Sequence, residues 1–227
     1  MGGSTAFLRA TTGDPPVKLG PGYALALAPD GRSVLLRTEV TGGKVLLQPV
    51  GSGASRILEA SRPDARISAA FFAPDGRVCW TERTEKGEVR NWIRALDQPP
   101  RPLGPEGFRV ISVAPDLRRL VLLKRGTTVL WKDGKDPPRA LPAVTQDHRI
   151  AGWKGSGSLL VQPIEPGRSR VECLDLASGR LSPYVDLTPV DRSGLAGSSV
   201  LSCRDGRAWA ITCYWYNVDL YLAVPNP

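Results

Sequence analysis

Short apolar runs separated by turn residues recur along the chain, and residues 24–38 show this pattern most clearly. One apolar run, Ala24–Leu27, enters the turn residues Pro29–Gly31, and a second run, Val34–Leu36, leaves them. Proline, aspartate and glycine favour tight turns, and two apolar runs joined by such a turn are typical of a β-hairpin. The pattern therefore predicts two antiparallel strands in this segment.

The hairpin pattern repeats at a spacing typical of a repeat protein. The successive turn positions are Asp30, Asp75, Asp116, Gly155 and Asp205, at intervals of 45, 41, 39 and 50 residues. Further short apolar runs follow each hairpin, and no stretch has the 3.6-residue period of an amphipathic helix. A repeat of about 40 to 45 residues with four short strands predicts an all-β fold. We expect a β-propeller of four-stranded antiparallel blades in a single domain over residues 1–227.

The two ends of the chain bear on the number of blades. Residues 5–19 predict two strands, and the last repeat supplies three. We expect the N-terminal strands to close the ring, although five strands then compete for four positions. Either the propeller has about five blades and a spare edge strand, or it is an incomplete six-bladed propeller. An unpaired edge favours self-association, so the second alternative predicts a dimer.

The repeated segment Ala-Pro-Asp-Gly-Arg between two apolar strands resembles the WD40-like (PD40) repeats of TolB-type propellers. The opening residues 6–31 and the closing Asp-Leu-Tyr-Leu at 219–222 are similar to the C-terminal propellers of bacterial serine/threonine protein kinases. This resemblance covers nearly the whole chain and implies a kinase-associated sensor or docking module. The chain contains neither the glycine-rich loop nor the His-Arg-Asp motif of a kinase domain.

Candidate ligand-binding residues follow from the expected position of the innermost strand in each blade. Counting seven residues back from each turn position selects Tyr23, Ser68, Arg109, His148 and Ser198. We expect this polar set at the mouth of a central channel, where Arg109 could bind an anion and His148 could exchange a proton. The alternative is that these are ordinary residues at strand ends, hydrated by water.

Catalytic and metal chemistry have little support in the sequence. A single histidine excludes a multi-histidine metal centre, and the four cysteines lack metal-ligand spacing. Ser198, His148 and Asp147 have no Gly-x-Ser-x-Gly context, so they do not predict a hydrolase triad. We therefore expect no catalytic residue, no metal and no cofactor. A disulfide between Cys203 and Cys213 remains open, since both lie on one predicted hairpin.

Net charge and hydropathy limit the partners and the compartment. The formal charge of +8 would suit nucleic acid or another anionic polymer, but the arginines are dispersed without interleaved aromatic residues. Nucleic acid is therefore not the expected partner. No signal peptide or membrane-spanning segment is predicted, which suits the cytoplasm, or an extracytoplasmic location if the chain belongs to a membrane-anchored kinase.

Three functions remain open at this point. The expected one is a non-catalytic module that binds a protein or peptide, with a small-molecule ligand as a further option. The second is a hydrolase or lyase with its site at the channel mouth. The third is a basic surface that binds nucleic acid or an anionic polymer.

Overall fold

The computed structural model describes residues 5–8, 15–38, 44–132, 136–191, 195–202 and 209–215. These residues form β-strands joined by turns, with no helix among them. Within those ranges there is accordingly no helix long and apolar enough to cross a membrane. The predicted all-β class is confirmed.

Two strands precede the first blade and form a sheet of their own. They are β1 (Thr5–Leu8) and β2 (Val17–Pro21), which pair antiparallel. The sequence predicted both strands. Their predicted role in closing the ring stays a prediction.

Four sheets of four antiparallel strands follow, and we call them blades 1 to 4 in chain order. Blade 1 contains β3 (Tyr23–Leu27), β4 (Ser33–Thr38), β5 (Lys44–Pro49) and β6 (Arg56–Leu58). Blade 2 contains β7 (Ala65–Phe72), β8 (Val78–Thr84), β9 (Val89–Arg94) and β10 (Arg101–Pro102). Blade 3 contains β11 (Arg109–Val113), β12 (Arg119–Lys124), β13 (Thr127–Lys132) and β14 (Arg139–Ala140). Blade 4 contains β15 (His148–Lys154), β16 (Ser158–Pro163), β17 (Arg170–Asp175) and β18 (Leu181–Asp186).

The predicted fifth repeat begins with a two-stranded sheet of β19 (Leu195–Ser202) and β20 (Trp209–Trp215). The predicted turn at Asp205, Cys203 and the predicted strand Asp219–Val224 lie outside the described residues. The four blades and this hairpin agree with the predicted propeller architecture, in which each blade meanders through strands that follow one another along the chain.

The chain divides into two compact units. The first contains the β1–β2 sheet, blades 1 and 2 and the strands β11 and β12 of blade 3. The second contains β14, blade 4 and the β19–β20 sheet. Strand β13 is divided between the units, because residues 125–130 belong to the second and residues 131–138 to the first.

The second strand of each blade is the most deeply buried one. In β4, Val34, Leu35 and Leu36 are consecutive and all buried, and β8, β12 and β16 show similar runs. Successive side chains of a strand point to opposite faces, so a continuous buried run requires cover on both faces of the sheet. The uninterrupted apolar runs after each turn in the sequence are the signal of this arrangement.

Packing in the first unit shows which element covers each face of blade 1. Leu35 packs in one cluster with Trp80 and Val78 of blade 2. Val34 and Leu36, on the opposite face, pack with Ala6 of β1. Trp80 is only 2% exposed, as expected for a tryptophan that fills the space between blades. In the second unit, Leu160 of blade 4 packs with Val200 of β19.

Candidate functional site

A β-bulge sets the register of the first strand in every blade. In each case two residues of the first strand oppose one residue of the second, and the extra residue is Leu25, Ser68, Ile111 or Ala151 in blades 1 to 4. Strand β19 carries the same feature at Ala196. Because a bulge re-aims the side chains on both sides of it, the bulge defines equivalent positions better than the turn does.

The bulges show that the five predicted ligand residues do not occupy one register position. Tyr23 and Arg109 both lie two residues before a bulge, whereas Ser68 is itself the extra residue. His148 lies three residues before the bulge of blade 4, and Ser198 lies two residues after that of β19. The residues equivalent to Tyr23 and Arg109 are instead Arg66 and Arg149. The ligand-binding role of the predicted set stays a prediction.

Ser198 is a buried residue with a fully engaged hydroxyl group. It is 8% exposed, and its Oγ accepts hydrogen bonds from Gln162 Nε2 at 3.0 Å and Ser169 Oγ at 2.7 Å. The same hydroxyl donates to the carbonyl oxygen of Arg168 at 3.1 Å. No imidazole is among its described partners. These contacts connect blade 4 to β19, and they do not support a nucleophilic role.

His148 closes a tight turn in the same unit. Its Nδ1 accepts a hydrogen bond from the backbone N–H of Thr145 at 3.3 Å and lies 3.1 Å from the Thr145 hydroxyl oxygen. The Thr145 hydroxyl in turn accepts from the N–H of Asp147 at 3.2 Å. One ring nitrogen therefore stabilises the local backbone.

Side-chain amides connect neighbouring blades in a repeated way. Asn91 of β9 donates to the carbonyl oxygen of Phe108 at 2.7 Å and accepts from the N–H of Val110 at 3.0 Å. In the second unit, Gln162 donates to the carbonyl oxygen of Ser198 at 3.3 Å and accepts from the N–H of Val200 at 2.9 Å. Each amide thus satisfies a carbonyl and an N–H two residues apart, as a neighbouring strand would.

A cavity with both apolar and charged walls lies between blades 1 and 2. We call it the blade 1–2 cleft, and its volume is about 730 Å³. Its apolar wall includes Val45, Ile57 and Ile67. Its charged lining residues are Arg37, Lys44, Glu59, Arg62 and Arg66. Most of this lining comes from the end of β4, the start of β5, strand β6 and the start of β7. The cleft therefore lies at the end of the blades where β3 begins.

Arg37 is held at the inner side of the cleft by the backbone of blade 2. Its Nη2 donates to the carbonyl oxygen of Ile67 at 3.1 Å. Its Nε is buried and has no hydrogen-bond partner among the described residues. A buried donor without a partner is energetically costly.

A buried glutamate holds Ser61, one of the lining residues of the cleft. Glu82 of β8 is 3% exposed, and its Oε1 accepts from the backbone N–H of Ser61 at 2.7 Å and from Trp80 Nε1 at 2.8 Å. Its Oε2 accepts from Ser61 Oγ at 2.5 Å. Since Ser61 lines the cleft, these bonds hold the connection between β6 and β7 in place.

Among the described residues, no group of three or more histidine, cysteine, aspartate or glutamate side chains could hold a metal ion. Burial raises the pKa of the Cys79 thiol to about 12, so this cysteine stays protonated and unreactive near neutral pH.

The blade 1–2 cleft was not predicted from the sequence, because the candidate positions were counted from the turns. Arg37 and Lys44 flank the connection between β4 and β5, and Arg66 lies near the start of β7. A comparison of the basic residues at strand ends would have found three of them at the same end of neighbouring blades. Because successive strands of a blade run in opposite directions, the end of one strand and the start of the next lie at the same end of the blade.

Comparisons with known proteins bear on the fold alone. No family model matches the chain, and no curated protein matches it. Among solved structures, TolB from Acinetobacter baumannii is similar over 80% of this chain and 60% of its own, with 14% identity and a TM-score of 0.44. Prolyl oligopeptidase B from Galerina marginata is similar over 87% of this chain and 30% of its own, with 12% identity and a TM-score of 0.50. A streptogramin B lyase is similar over 87% of this chain and 83% of its own, with 15% identity and a TM-score of 0.43.

The chain therefore spans about 60% of that TolB and about 30% of that prolyl oligopeptidase. Sequence identities this low say nothing about activity, because one fold hosts many functions. The chain is an all-β protein with propeller-type blades, and its structural neighbours include TolB.

Proposed function

We propose that this protein is a non-catalytic interaction module that binds a partner polypeptide in the blade 1–2 cleft. The observation that carries the proposal is the cleft itself, an open cavity of about 730 Å³ that combines apolar and charged walls. Binding sites of this size with a few placed polar groups suit a short chain segment.

The walls of the cleft supply groups suited to binding. Arginine and lysine provide hydrogen-bond donors and positive charge beside the apolar residues. The enzyme hypothesis rested on Arg109 and His148. Since Nδ1 of His148 is engaged with Thr145, that hypothesis gains no support from its contacts.

The resemblance to kinase-associated propellers is compatible with this proposal and adds a biological setting. A docking half of a bacterial serine/threonine kinase would use such a cleft to recruit a partner. This setting rests on the terminal segments of the sequence and stays a prediction.

Selection from a random linear peptide library on the immobilised protein would test the proposal. Ala60 lines the cleft, and Ala60→Trp would fill it. Glu106→Trp, at an exposed position outside the cleft, is the matched control. We expect selected peptides to lose at least about tenfold in affinity on Ala60→Trp and less than about twofold on the control. Failure to select any peptide, or peptides insensitive to Ala60→Trp, would overturn the proposal.

A further inference from the structure

The blade 1–2 cleft has a neighbour at the same end of blade 2, and the two differ in charge balance. We call the second one the blade 2–3 cleft. Its described lining includes Arg62, Glu82, Glu88, Arg90 and Glu106, and its volume is about 520 Å³. The charges of this second cleft are largely paired. Arg62 binds Glu88 at 3.1 Å, and Arg90 forms an ion pair with Glu106.

Equivalent positions of the two blades explain the difference. In blade 1, Thr38 pairs with Lys44. In blade 2, the N–H of Thr84 donates to the carbonyl oxygen of Glu88, which places Glu88 at the position equivalent to Lys44. Blade 1 therefore carries a cation, Lys44, at the position where blade 2 carries a carboxylate, Glu88.

Among the described residues, the positive charges of the blade 1–2 cleft mostly lack an ion-pair partner. The positive charge of Arg62 is compensated by carboxylates, because its guanidinium binds Asp64 at 2.8 Å as well as Glu88. The hydrogen bond to Asp64 is the main cause of the raised pKa of Arg62. For Lys44 and Arg66 the structure gives no side-chain hydrogen bond or ion pair to any residue that it describes. Glu59 is the one carboxylate among the described lining residues.

From this imbalance we propose that the occupant of the blade 1–2 cleft is an acidic segment of a partner polypeptide. The inference rests on the proposed function and names the chemistry of the partner. Carboxylates of the segment bind the cationic side chains of Arg37, Lys44 and Arg66 that line the cleft. Complementary charge across such a surface selects the partner and speeds its encounter.

An acidic polypeptide suits the cleft better than a nucleic acid. Single-stranded nucleic acids bind by stacking bases on aromatic side chains, and no aromatic residue is among the described lining. The apolar wall of Val45, Ile57 and Ile67 provides contacts for aliphatic side chains instead. An extended peptide with alternating acidic and aliphatic residues would direct one set toward the cations and the other toward this wall.

The experiment measures fluorescence anisotropy with a labelled peptide of alternating glutamate and valine. The uncharged reference is the same peptide with glutamine for glutamate. We expect the acidic peptide to bind, its affinity to fall with rising salt, and the glutamine peptide to bind at least about tenfold more weakly. Lys44→Glu and Arg66→Glu should each weaken the acidic peptide about tenfold or more.

Matched charge reversals provide the control for net charge. Lys18→Glu on β2 and Arg32→Glu in the first hairpin turn change exposed residues outside the described cleft lining. We expect both to alter the affinity by less than about threefold.

Three outcomes would overturn the inference. One is equal binding of the glutamate and glutamine peptides, and another is equal effects of the cleft and control reversals. The third is tighter binding of a single-stranded oligonucleotide with the same sensitivity to Lys44→Glu and Arg66→Glu. If neutral peptides from the library still bind and are blocked by Ala60→Trp, the proposed function stands and only the acidic partner is rejected.

Discussion

The side-chain amide of Asn91 accepts a hydrogen bond from the backbone N–H of Val110, which lies on the first strand of the next blade, at 3.0 Å. The same amide donates to the carbonyl oxygen of Phe108 and accepts from the hydroxyl of Thr81 at 2.8 Å. Asn91 thereby uses three of its hydrogen-bonding positions to connect blade 2 to the start of blade 3.

Replacing Asn91 with alanine should destabilise the protein by about 2–4 kcal/mol, because the buried N–H of Val110 and the partly buried carbonyl of Phe108 lose their partner. Asn91 is 2% exposed, so water does not replace the lost bonds without structural change. The measurement is urea unfolding followed by circular dichroism. Thr81→Val, which removes one of the three bonds, is the control and should cost about 1 kcal/mol. Equal stability of Asn91→Ala and the wild type would contradict the assigned role.

Glu82 should stabilise the connection between β6 and β7, which carries Ser61 of the blade 1–2 cleft, through hydrogen bonding rather than through charge. Glu82→Ala removes the acceptors of Ser61 and Trp80 and should cost about 2–4 kcal/mol. Glu82→Gln keeps the size and one acceptor oxygen and should cost less than about 1.5 kcal/mol. Thermal unfolding compares the variants, and peptide binding should weaken more on Glu82→Ala than on Glu82→Gln. A loss of stability of more than about 1.5 kcal/mol on Glu82→Gln would show that the charge of Glu82 dominates.

Gly22 is required where the chain enters β3 beside Arg37. Its φ is +121°, and a Cβ at this position would overlap with the carbonyl oxygen of Arg37. Gly22→Ala should therefore cost at least about 3 kcal/mol, from strain and overlap together. Gly31→Ala is the matched control, since its φ is +71° but no atom lies within 4 Å of the added Cβ. It should cost about 1 kcal/mol in chemical denaturation. Similar losses at the two glycines would contradict the close approach at Gly22.

Alkaline pH should destabilise the protein through Cys79. Burial is the main cause that raises the pKa of its thiol from 9.0 to about 12. Between these values the unfolded chain has lost the thiol proton and the folded chain has kept it. The stabilisation that comes from the protonated thiol is fully present below about pH 9. The free energy of unfolding therefore falls as pH rises from about 9 toward 12. Unfolding free energies of the wild type and Cys79→Ala across this range isolate the effect. Parallel pH profiles would contradict it.

The fold was largely predictable from the sequence because its signals are local. Each Pro-Asp-Gly turn and the buried run after it, such as Val34–Leu36, fix one hairpin. The repeat spacing then specifies similar blades. Trp80 lies between blades, because a large apolar side chain in the most buried strand needs a neighbouring sheet to cover it.

The site was less predictable because β-bulges change the register without a clear sequence signal. Leu25 and Asp30 are five residues apart, whereas Ser68 and Asp75 are seven apart, so equal counting from the turns selects positions that are not equivalent. This is why Ser68 was grouped with Tyr23 in place of Arg66. The pairing of Arg62 with Asp64 and Glu88 depends on contacts that follow only from the folded chain. The same holds for Lys44 and Arg66, which have no ion-pair partner among the residues that the structure describes.

A charge swap tests the acidic-partner assignment most directly. The double variant Lys44→Glu/Arg66→Glu and the wild type are each titrated with the glutamate–valine peptide and with a lysine–valine peptide. We expect the wild type to prefer the acidic peptide by at least about tenfold and the double variant to prefer the basic peptide. An unchanged preference for the acidic peptide in the double variant would contradict the assignment of the blade 1–2 cleft as its binding site.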